Sequence, residues 1–342
     1  MHTSTSPQYA IIASCDVAAA MMEPPGGTAL VEESILEALD FRRAMRKVEE
    51  EFGDQDWWFK VWGPDNLVDE GIGRADDWII KDNEADAKWH GFGQLADGFN
   101  MLDPIKSTIV TPDLAMDGKF AETGIPASIV TKFLAEHGVI VEKTGLYSFF
   151  IMFTIGITKG RWNSLLTALQ QFKDDYEKNQ PMWRILPEFC QKHKRYERMG
   201  LRDLCQHVHQ MYAKYDIARL TTEMYLSDLE PAMKPSDAYA YIAHRKTERV
   251  EIDELEGRIT TSLITPYPPG IPLLIPGEVF NKTIVDYLKF SREFNQQCPG
   301  FETDIHGLVE LEDETGHVRY YADCVAVGQP STTERALSLI HI

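Results

Sequence analysis

Residues Thr265 to Glu278 have the sequence TPYPPGIPLLIPGE, and this stretch decides the fold of the second half of the chain. Half of its fourteen residues are proline or glycine, although its centre is strongly apolar. Proline fixes φ and has no backbone N–H, and the residue before each proline is kept out of the helical region. The stretch therefore predicts a stiff, buried crossing that belongs to neither a helix nor a central strand.

A second unusual string, PGFETDIHG from Pro299 to Gly307, follows one helix later. That intervening helix is predicted from Asn281 to Phe294 by its apolar spacing. Short strands are predicted after the second string, around Leu308 to Leu311 and from Arg319 to Val327. The sequence therefore predicts an α+β arrangement around the two strings.

The first half of the chain alternates predicted helices with strands. Ser34 is predicted as the N-cap of the first helix. The predicted elements are a helix over 34–48, a strand over 105–111, a helix over 125–137, strands over 139–142 and 148–158 on either side of a turn at 143–145, and a helix over 162–176. The last five elements, in the order β, α, β, β, α, are typical of a small α+β lobe.

Residues 54–100 carry five of the seven tryptophans among many Asp, Gly and Asn residues. We interpret this region as a long structured loop. Such loops are often functional or interfacial, but the indoles could equally attach an irregular segment to the core, and this second interpretation is favoured.

Composition limits the classes of partner. The 53 acidic and 34 basic residues give a formal net charge of −19, which repels nucleic acid and anionic lipid. A cationic small molecule would be attracted, although a merely solubilising acidic surface is the simpler interpretation. Five scattered cysteines without a C-x-x-C pair predict neither a disulfide framework nor a metal site. The absence of a long apolar run or a signal-like N-terminus favours a cytoplasmic protein without a membrane span.

Several strings resemble one enzyme family. DPIKSTIVTP at Asp103, GIPASIVTKFLAEHGVIVEKTG at Gly124 and FTIGITKGRW at Phe153 accompany the two strings above. Their order is similar to that of the bacterial inducible ornithine, lysine and arginine decarboxylases, over about residues 1 to 325. The strings that begin at Asp56 (DWWFKVWGPD) and Glu142 (EKTGLYSFFIMFTIGITKGRW) resemble the biodegradative, acid-inducible arginine decarboxylase most.

The resemblance implies a fold-type-I enzyme that depends on pyridoxal 5′-phosphate. Its fold class is α/β and α+β, an aspartate-aminotransferase-like major domain followed by a separate α+β C-terminal domain. In this family a lysine in a Ser-x-His-Lys segment holds the cofactor as a Schiff base, and no equivalent is found in this sequence. We therefore expect a C-terminal fragment that is inactive when isolated. Its predicted divisions are 1–100, the end of the major domain with the Trp-rich connection; 101–180, the small lobe; 181–198, a linker; 199–328, the C-terminal domain; and 329–342, a non-native or disordered tail.

The resemblance also implies two groups of site residues. Ser4, with Thr3 and Thr5 as weaker candidates, resembles the segment that reaches the cofactor phosphate of the partner subunit, although an ordinary Ser/Thr loop is the alternative. Glu142 and Thr144 correspond to a family pattern near the substrate entrance. A carboxylate can accept paired hydrogen bonds from a guanidinium, but a surface glutamate paired with Lys143 is equally compatible with the sequence.

The primary functional prediction is the decarboxylation of arginine to agmatine, which consumes a proton under acid stress. The resemblance implies homodimers that assemble into a decamer. One alternative is lysine or ornithine decarboxylation. The other is a non-catalytic interaction module that assembles with full-length subunits. No metal, nucleic acid or membrane partner is expected.

Overall fold

The computed structural model describes residues 8–53, 56–64, 71–73, 78, 90, 100–112, 114, 118–267, 270–312 and 318–326. The helices are α1 (Tyr9–Met21), α2 (Gly26–Phe52), α3 (Ala127–Glu136), α4 (Lys159–Glu177), α5 (Met182–Ile185), α6 (Pro187–Lys192), α7 (Leu201–Lys214), α8 (Ile217–Leu226), α9 (Pro235–Ala243) and α10 (Lys282–Gln297). The strands are β1 (Lys60–Val61), β2 (Lys106–Val110), β3 (Lys143–Thr144), β4 (Ser148–Met152), β5 (Thr247–Glu251), β6 (Thr265–Tyr267), β7 (Asp304–His306), β8 (Leu308–Glu312) and β9 (Val318–Val325). The fold is mixed α/β, as predicted.

The chain divides into two units. Unit 1 comprises Met1–Asp117, Val130–Lys143 and Tyr147–Lys178, and unit 2 comprises Gly118–Ile129, Thr144–Leu146 and Asn179–Ile342. The domain boundaries expected from the sequence stay predictions.

A small antiparallel sheet organises unit 1. Its strand order is β1-β2-β4-β3, and β2 pairs with β4 over its whole length, from Lys106 opposite Met152 to Val110 opposite Ser148. Alternate residues of β2, Ser107 and Ile109, are buried. This period of two is the pattern of a strand with one covered face, and the predicted strand over 105–111 is confirmed.

Aromatic side chains fill the core of unit 1. Phe41 on α2 lies 5.5 Å from the ring of Phe153 and 6.0 Å from that of Trp162 on α4. The indole Nε1 of Trp162 donates a 2.6 Å hydrogen bond to Glu37, so the polar atom of this buried ring is satisfied. Together these contacts hold α2 and α4 against each other.

A buried arginine fixes the start of β2. Arg42 is 2% exposed, and its guanidinium donates to the carbonyl oxygens of Trp62 at 3.0 Å, Lys106 at 2.9 Å and Pro104 at 3.4 Å. Burial lowers the pKa of Arg42 to about 10, an effect that the charge of Asp103 opposes. The side chain therefore stays protonated at neutral pH and bridges segments that are distant in sequence.

A buried lysine anchors the first tryptophans. Lys173 on α4 is 2% exposed, and its ammonium lies 2.7 Å from an Asp56 carboxylate oxygen and also bonds Glu177. The same ammonium lies over the rings of Phe52 at 4.8 Å and Trp57 at 4.5 Å. Cation–π attraction and the ion pair thus tie the segment after α2 to α4.

The tryptophan-rich region is described only in part. Trp58 and Trp78 are 4% and 5% exposed, which agrees with the core-packing interpretation. Trp62 is half-buried and packs against the cluster that contains Trp78, whereas Trp89 lies outside the described residues. β1 lies within this region and pairs with β2, so the region is not entirely loop.

The first predicted helix begins earlier than expected. α2 starts at Gly26, so Ser34 lies inside the helix, where its hydroxyl donates to the carbonyl of Leu30. The prediction that Ser34 is an N-cap was wrong because a serine inside a helix can bond the preceding turn instead.

The predicted strand over 139–142 was also wrong. Gly138 adopts φ +79° after α3, and the amide of Val139 donates back to the carbonyl of Leu134. Because the amide of Val139 caps α3, it cannot donate to a neighbouring strand. Strand pairing begins only at β3, within the segment that was predicted as a turn. The predicted strand over 148–158 stops at Met152, because a turn with Gly156 at φ +88° precedes α4.

Unit 2 contains a three-stranded sheet and a separate pair of strands. β5, β9 and β8 form an antiparallel sheet in that order, and β6 pairs with β7 separately. α10 begins where predicted, because the side chain of Asn281 accepts a 2.9 Å hydrogen bond from the amide of Ile284. The ring of Phe294 on α10 stacks on Tyr212 of α7 at 5.3 Å.

We predict that Arg42→Met destabilises the chain by about 3 kcal/mol or more, because it leaves three carbonyl oxygens without their donor. Arg42→Lys should lose less, since an ammonium reaches some of them. Urea unfolding measures both free energies. The exposed Lys47→Met on the same helix is the control and should change stability by less than about 0.5 kcal/mol. Equal effects at positions 42 and 47 would contradict the assignment.

We predict that the Asp56–Lys173 pair makes stability depend on pH in the acid range. The hydrogen bond from Lys173 lowers the pKa of Asp56 below its ordinary value of 3.8. A lowered pKa means that the stabilisation is present above the unfolded value and is lost as pH falls through the folded one. Asp56→Asn should cost about 1 kcal/mol at pH 7, a modest figure because the carboxylate is 39% exposed.

That difference between Asp56→Asn and the parent should shrink in urea unfolding between pH 7 and about pH 2, as the pH falls toward the lowered pKa of Asp56. The control is Asp174→Asn, which removes an exposed pair with Lys178 and should have little effect at either pH. A penalty for Asp56→Asn that is the same at both pH values would contradict the prediction.

Candidate functional site

The residues predicted to contact a cofactor phosphate, Ser4, Thr3 and Thr5, lie outside the described residues. Their role stays a prediction.

Glu142 presents its carboxylate to solvent. Its backbone amide donates a 2.9 Å hydrogen bond to the carbonyl of Phe150, which fixes the position of the residue next to β4. Its side chain is exposed, and within the described part of the chain the structure shows no ion pair between Glu142 and Lys143. The carboxylate is thus available to an external cation. Thr144 is half-buried on β3.

The two unusual strings of the second half pair with each other. β6 belongs to the Pro-rich stretch and β7 to PGFETDIHG, and they run antiparallel with Thr265 opposite His306 and Tyr267 opposite Asp304. Pro266 and Ile305 form the pair between them and are buried. We call this pair of strands the ribbon.

Alternation along the ribbon places Thr265, Tyr267, Asp304 and His306 on its other face, where Thr265 is buried and the other three are exposed. The ring of Tyr267 lies 4.4 Å from the imidazole of His306, whose Nε2 lies 2.9 Å from Asp304 Oδ2. Tyr267 is 46% exposed, and the side chains of His306 and Asp304 are 59% and 69% exposed. An imidazole paired with a carboxylate can exchange a proton, and a carboxylate beside an aromatic ring can attract an ammonium.

Sequence reasoning missed this grouping. The alternation of Asp304, Ile305 and His306 was a local signal, since residues two apart in a strand share a face. The partnership with Tyr267 was not visible, because it depends on the pairing of segments almost forty residues apart.

Two local features hold the ribbon in place. Asn295 on α10 donates to the carbonyl of Thr303 at 3.2 Å and accepts from its amide at 3.0 Å, just before β7 begins. Gly307 ends β7 at φ +95°, and a Cβ there would lie 2.1 Å from the carbonyl oxygen of Leu263. Only glycine therefore fits the close approach of these two backbones.

The described lysines do not fit a Schiff-base site for pyridoxal 5′-phosphate. Among the described residues, Lys173 is the buried lysine, and its ammonium is committed to Asp56 and Glu177. A Schiff-base lysine needs an amine that is free to bond the cofactor, whereas this ammonium already contacts two carboxylates. No catalytic step through this cofactor can be assigned to the described residues.

The described residues contain neither a metal-binding cluster nor a helix that could span a membrane. No group of three or more His, Cys, Asp or Glu side chains is arranged there to hold a metal ion. In the same ranges, no helix is both long and apolar enough to cross a membrane.

Two family profiles match the chain, one in each half. The profile of the Orn/Lys/Arg decarboxylase major domain matches residues 1–161, and that of the Orn/Lys/Arg decarboxylase C-terminal domain matches residues 218–326. The chain therefore belongs to the Orn/Lys/Arg decarboxylase family.

Individual relatives refine the comparison. The chain is 47% identical over 329 residues to lysine decarboxylase LdcA of Pseudomonas aeruginosa, covering 95% of this chain and 43% of that protein. It is 38% identical to the constitutive lysine decarboxylase of Escherichia coli, with coverage of 93% and 44%, and 36% identical to the biodegradative arginine decarboxylase of the same species, with the same coverage. The solved structure of lysine decarboxylase A from Pseudomonas aeruginosa matches with a TM-score of 0.88 at 47% identity, over 95% of this chain and 43% of that one.

The identities favour the lysine decarboxylases over the arginine decarboxylase. The prediction that the arginine member would be the most similar was wrong, because lysine decarboxylases show the higher identities. The chain spans less than half the length of the relatives that it matches.

We predict that Gly307→Ala destabilises the chain by about 3 kcal/mol, because it combines a left-handed backbone with a backbone clash. Gly257→Ala is the matched control: Gly257 has φ +78° but open space around its Cβ position. It should cost about 1 kcal/mol, for the backbone conformation alone. Thermal or urea unfolding separates the two, and equal costs would argue against the close approach of Leu263.

Proposed function

We propose that this chain is the C-terminal part of a pyridoxal 5′-phosphate-dependent lysine decarboxylase. The reaction takes lysine and one proton and gives a diamine and carbon dioxide. The observation that carries the proposal is the 47% identity to a lysine decarboxylase along 95% of the chain, against 36% to an arginine decarboxylase. The cofactor, when bound in the complete enzyme, accepts the electrons released as carbon dioxide departs.

In this proposal the chain supplies binding and positioning groups rather than the Schiff-base lysine. Glu142 offers an exposed carboxylate to the side-chain ammonium of the substrate, with Thr144 as a neighbour in sequence. Ser4, with Thr3 and Thr5, is proposed to hold the cofactor phosphate of the partner subunit. The net charge of −19 favours the approach of a cationic substrate.

Assembly is part of the same proposal. A homodimer is required if Ser4 acts across an interface, and association of dimers into a decamer should be favoured in acid. Carboxylates take up protons as pH falls, and the repulsion between chains of charge −19 then decreases.

The experiment joins this chain to the N-terminal portions of two relatives, which end where their similarity to it begins. One chimera carries the Pseudomonas aeruginosa lysine decarboxylase portion and the other the Escherichia coli arginine decarboxylase portion. We expect the lysine chimera to keep lysine as its preferred substrate in kcat/KM over arginine and ornithine. The arginine chimera should lose more of its parent's activity.

Glu142→Gln in the lysine chimera should lower kcat/KM for lysine about fivefold, the effect of losing an exposed ionic partner. The matched control is Glu122→Gln, also exposed, which should leave kcat/KM within twofold of the parent chimera. The substrate assignment would be overturned if a folded lysine chimera did not decarboxylate lysine while the arginine chimera was fully active on arginine.

A further inference from the structure

The two strings that form the ribbon have no role in the proposed function. TPYPPGIPLLIPGE (265–278) and PGFETDIHG (299–307) together contain the carboxylates of Glu278, Glu302 and Asp304, but neither a lysine nor an arginine. His306 is their single histidine. The strings therefore carry negative charge without a basic partner of their own, which favours a cationic ligand over an anionic one.

Tyr267 and Asp304 lie directly opposite each other in the ribbon. Opposite residues of an antiparallel pair have their Cβ atoms about 5 Å apart, so the aromatic ring and the carboxylate are immediate neighbours. Both side chains are largely open to solvent. A carboxylate beside an aromatic ring attracts an ammonium group by ion pairing and by cation–π attraction together.

His306 holds the Asp304 carboxylate in place without removing its charge. The imidazole lies 4.4 Å from the ring of Tyr267, and its Nε2 lies 2.9 Å from Asp304 Oδ2. A neutral imidazole that donates Nε2–H leaves the second carboxylate oxygen, Oδ1, for another donor. Within the part of the chain that the structure describes, no lysine or arginine forms an ion pair with Asp304.

Thr265 adds a hydrogen-bonding group to the same face. It lies opposite His306 and is 3% exposed, and its hydroxyl has no hydrogen-bond partner among the described residues. The large majority of buried hydroxyls have such a partner. An ammonium group has three N–H donors, so one that pairs with Asp304 keeps donors for other acceptors on this face.

We propose that Tyr267, Asp304 and His306 form a binding site for a primary ammonium group. The inference rests on the proposed function for the source of the ligand, because a lysine decarboxylase takes up lysine and releases a diamine. The diamine is the better ligand, since it has two ammonium groups and lacks the carboxylate of lysine, which Asp304 repels. The simpler alternative is that the contact between Tyr267 and His306 only stiffens the ribbon.

An NMR titration of the purified chain tests the site. The Cε1–H signal of His306 is identified by its absence from the spectrum of His306→Gln. The ligands are 1,5-diaminopentane, lysine and the uncharged 1,5-pentanediol, at about pH 8, where an ordinary imidazole is neutral. We expect the signal to shift and saturate at millimolar diamine, to need more lysine, and to stay unchanged with pentanediol. Because the signal belongs to His306, ligand bound at Glu142 does not contribute to it.

Substitutions separate the charge from the ring. Asp304→Asn should raise the dissociation constant of the diamine about fivefold, because it removes the charge and keeps the shape. Tyr267→Leu should raise it about threefold, whereas Tyr267→Phe keeps the ring and should bind like the parent. The matched control is Asp174→Asn, at an exposed carboxylate of unit 1, which should leave the constant unchanged. Urea midpoints close to that of the parent are expected for all four, since the side chains are exposed.

Three results would overturn the inference: an equal response to pentanediol, a shift that does not saturate, or a dissociation constant that Asp304→Asn leaves unchanged. Tighter binding of the diamine would identify a site for the product, and tighter binding of lysine a site for the substrate, and both orders support an ammonium site. Saturable binding at His306, together with a folded lysine chimera that does not decarboxylate lysine, would support the site and count against the proposed function. The two proposals can therefore fail separately.

Discussion

The guanidinium of Arg42 is the point on which unit 1 depends. Three carbonyl oxygens, from Trp62, Pro104 and Lys106, converge on it. Burying a guanidinium and three carbonyl groups costs free energy, which the hydrogen bonds between them offset. The guanidinium thus holds the start of β2, which pairs with β4 over its whole length.

The corresponding constraint in unit 2 is the ribbon. Pro266 offers no amide, so β6 cannot be a central strand, and it forms a two-stranded pair with β7 alone among the described strands. Burial of Pro266 and Ile305 on one face leaves Tyr267, Asp304 and His306 together on the other. The chemistry of this face is thus a consequence of the backbone that proline imposes.

Sequence reasoning succeeded where the signal was periodic and local. The helix α10 was predicted, and its N-cap Asn281 is a local capping signal that sequence reasoning had not named. β3 was misplaced, because the amide of Val139 bonds back to the carbonyl of Leu134 in a cap of α3 that apolar periodicity does not show. The pairing of Tyr267 with His306 depends on tertiary contact. The preference for arginine rested on two short strings, which identity along 95% of the chain outweighs.

Under the proposed function the chain supplies positioning groups, and none of its described lysines is suited to hold pyridoxal 5′-phosphate. The direct measurement is borohydride reduction of the purified chain with the cofactor and lysine, followed by peptide mapping and an assay of carbon dioxide release. The account predicts scattered modification, no more selective than in the denatured chain, and no release. Stoichiometric modification of one lysine, with decarboxylation of lysine, would contradict it.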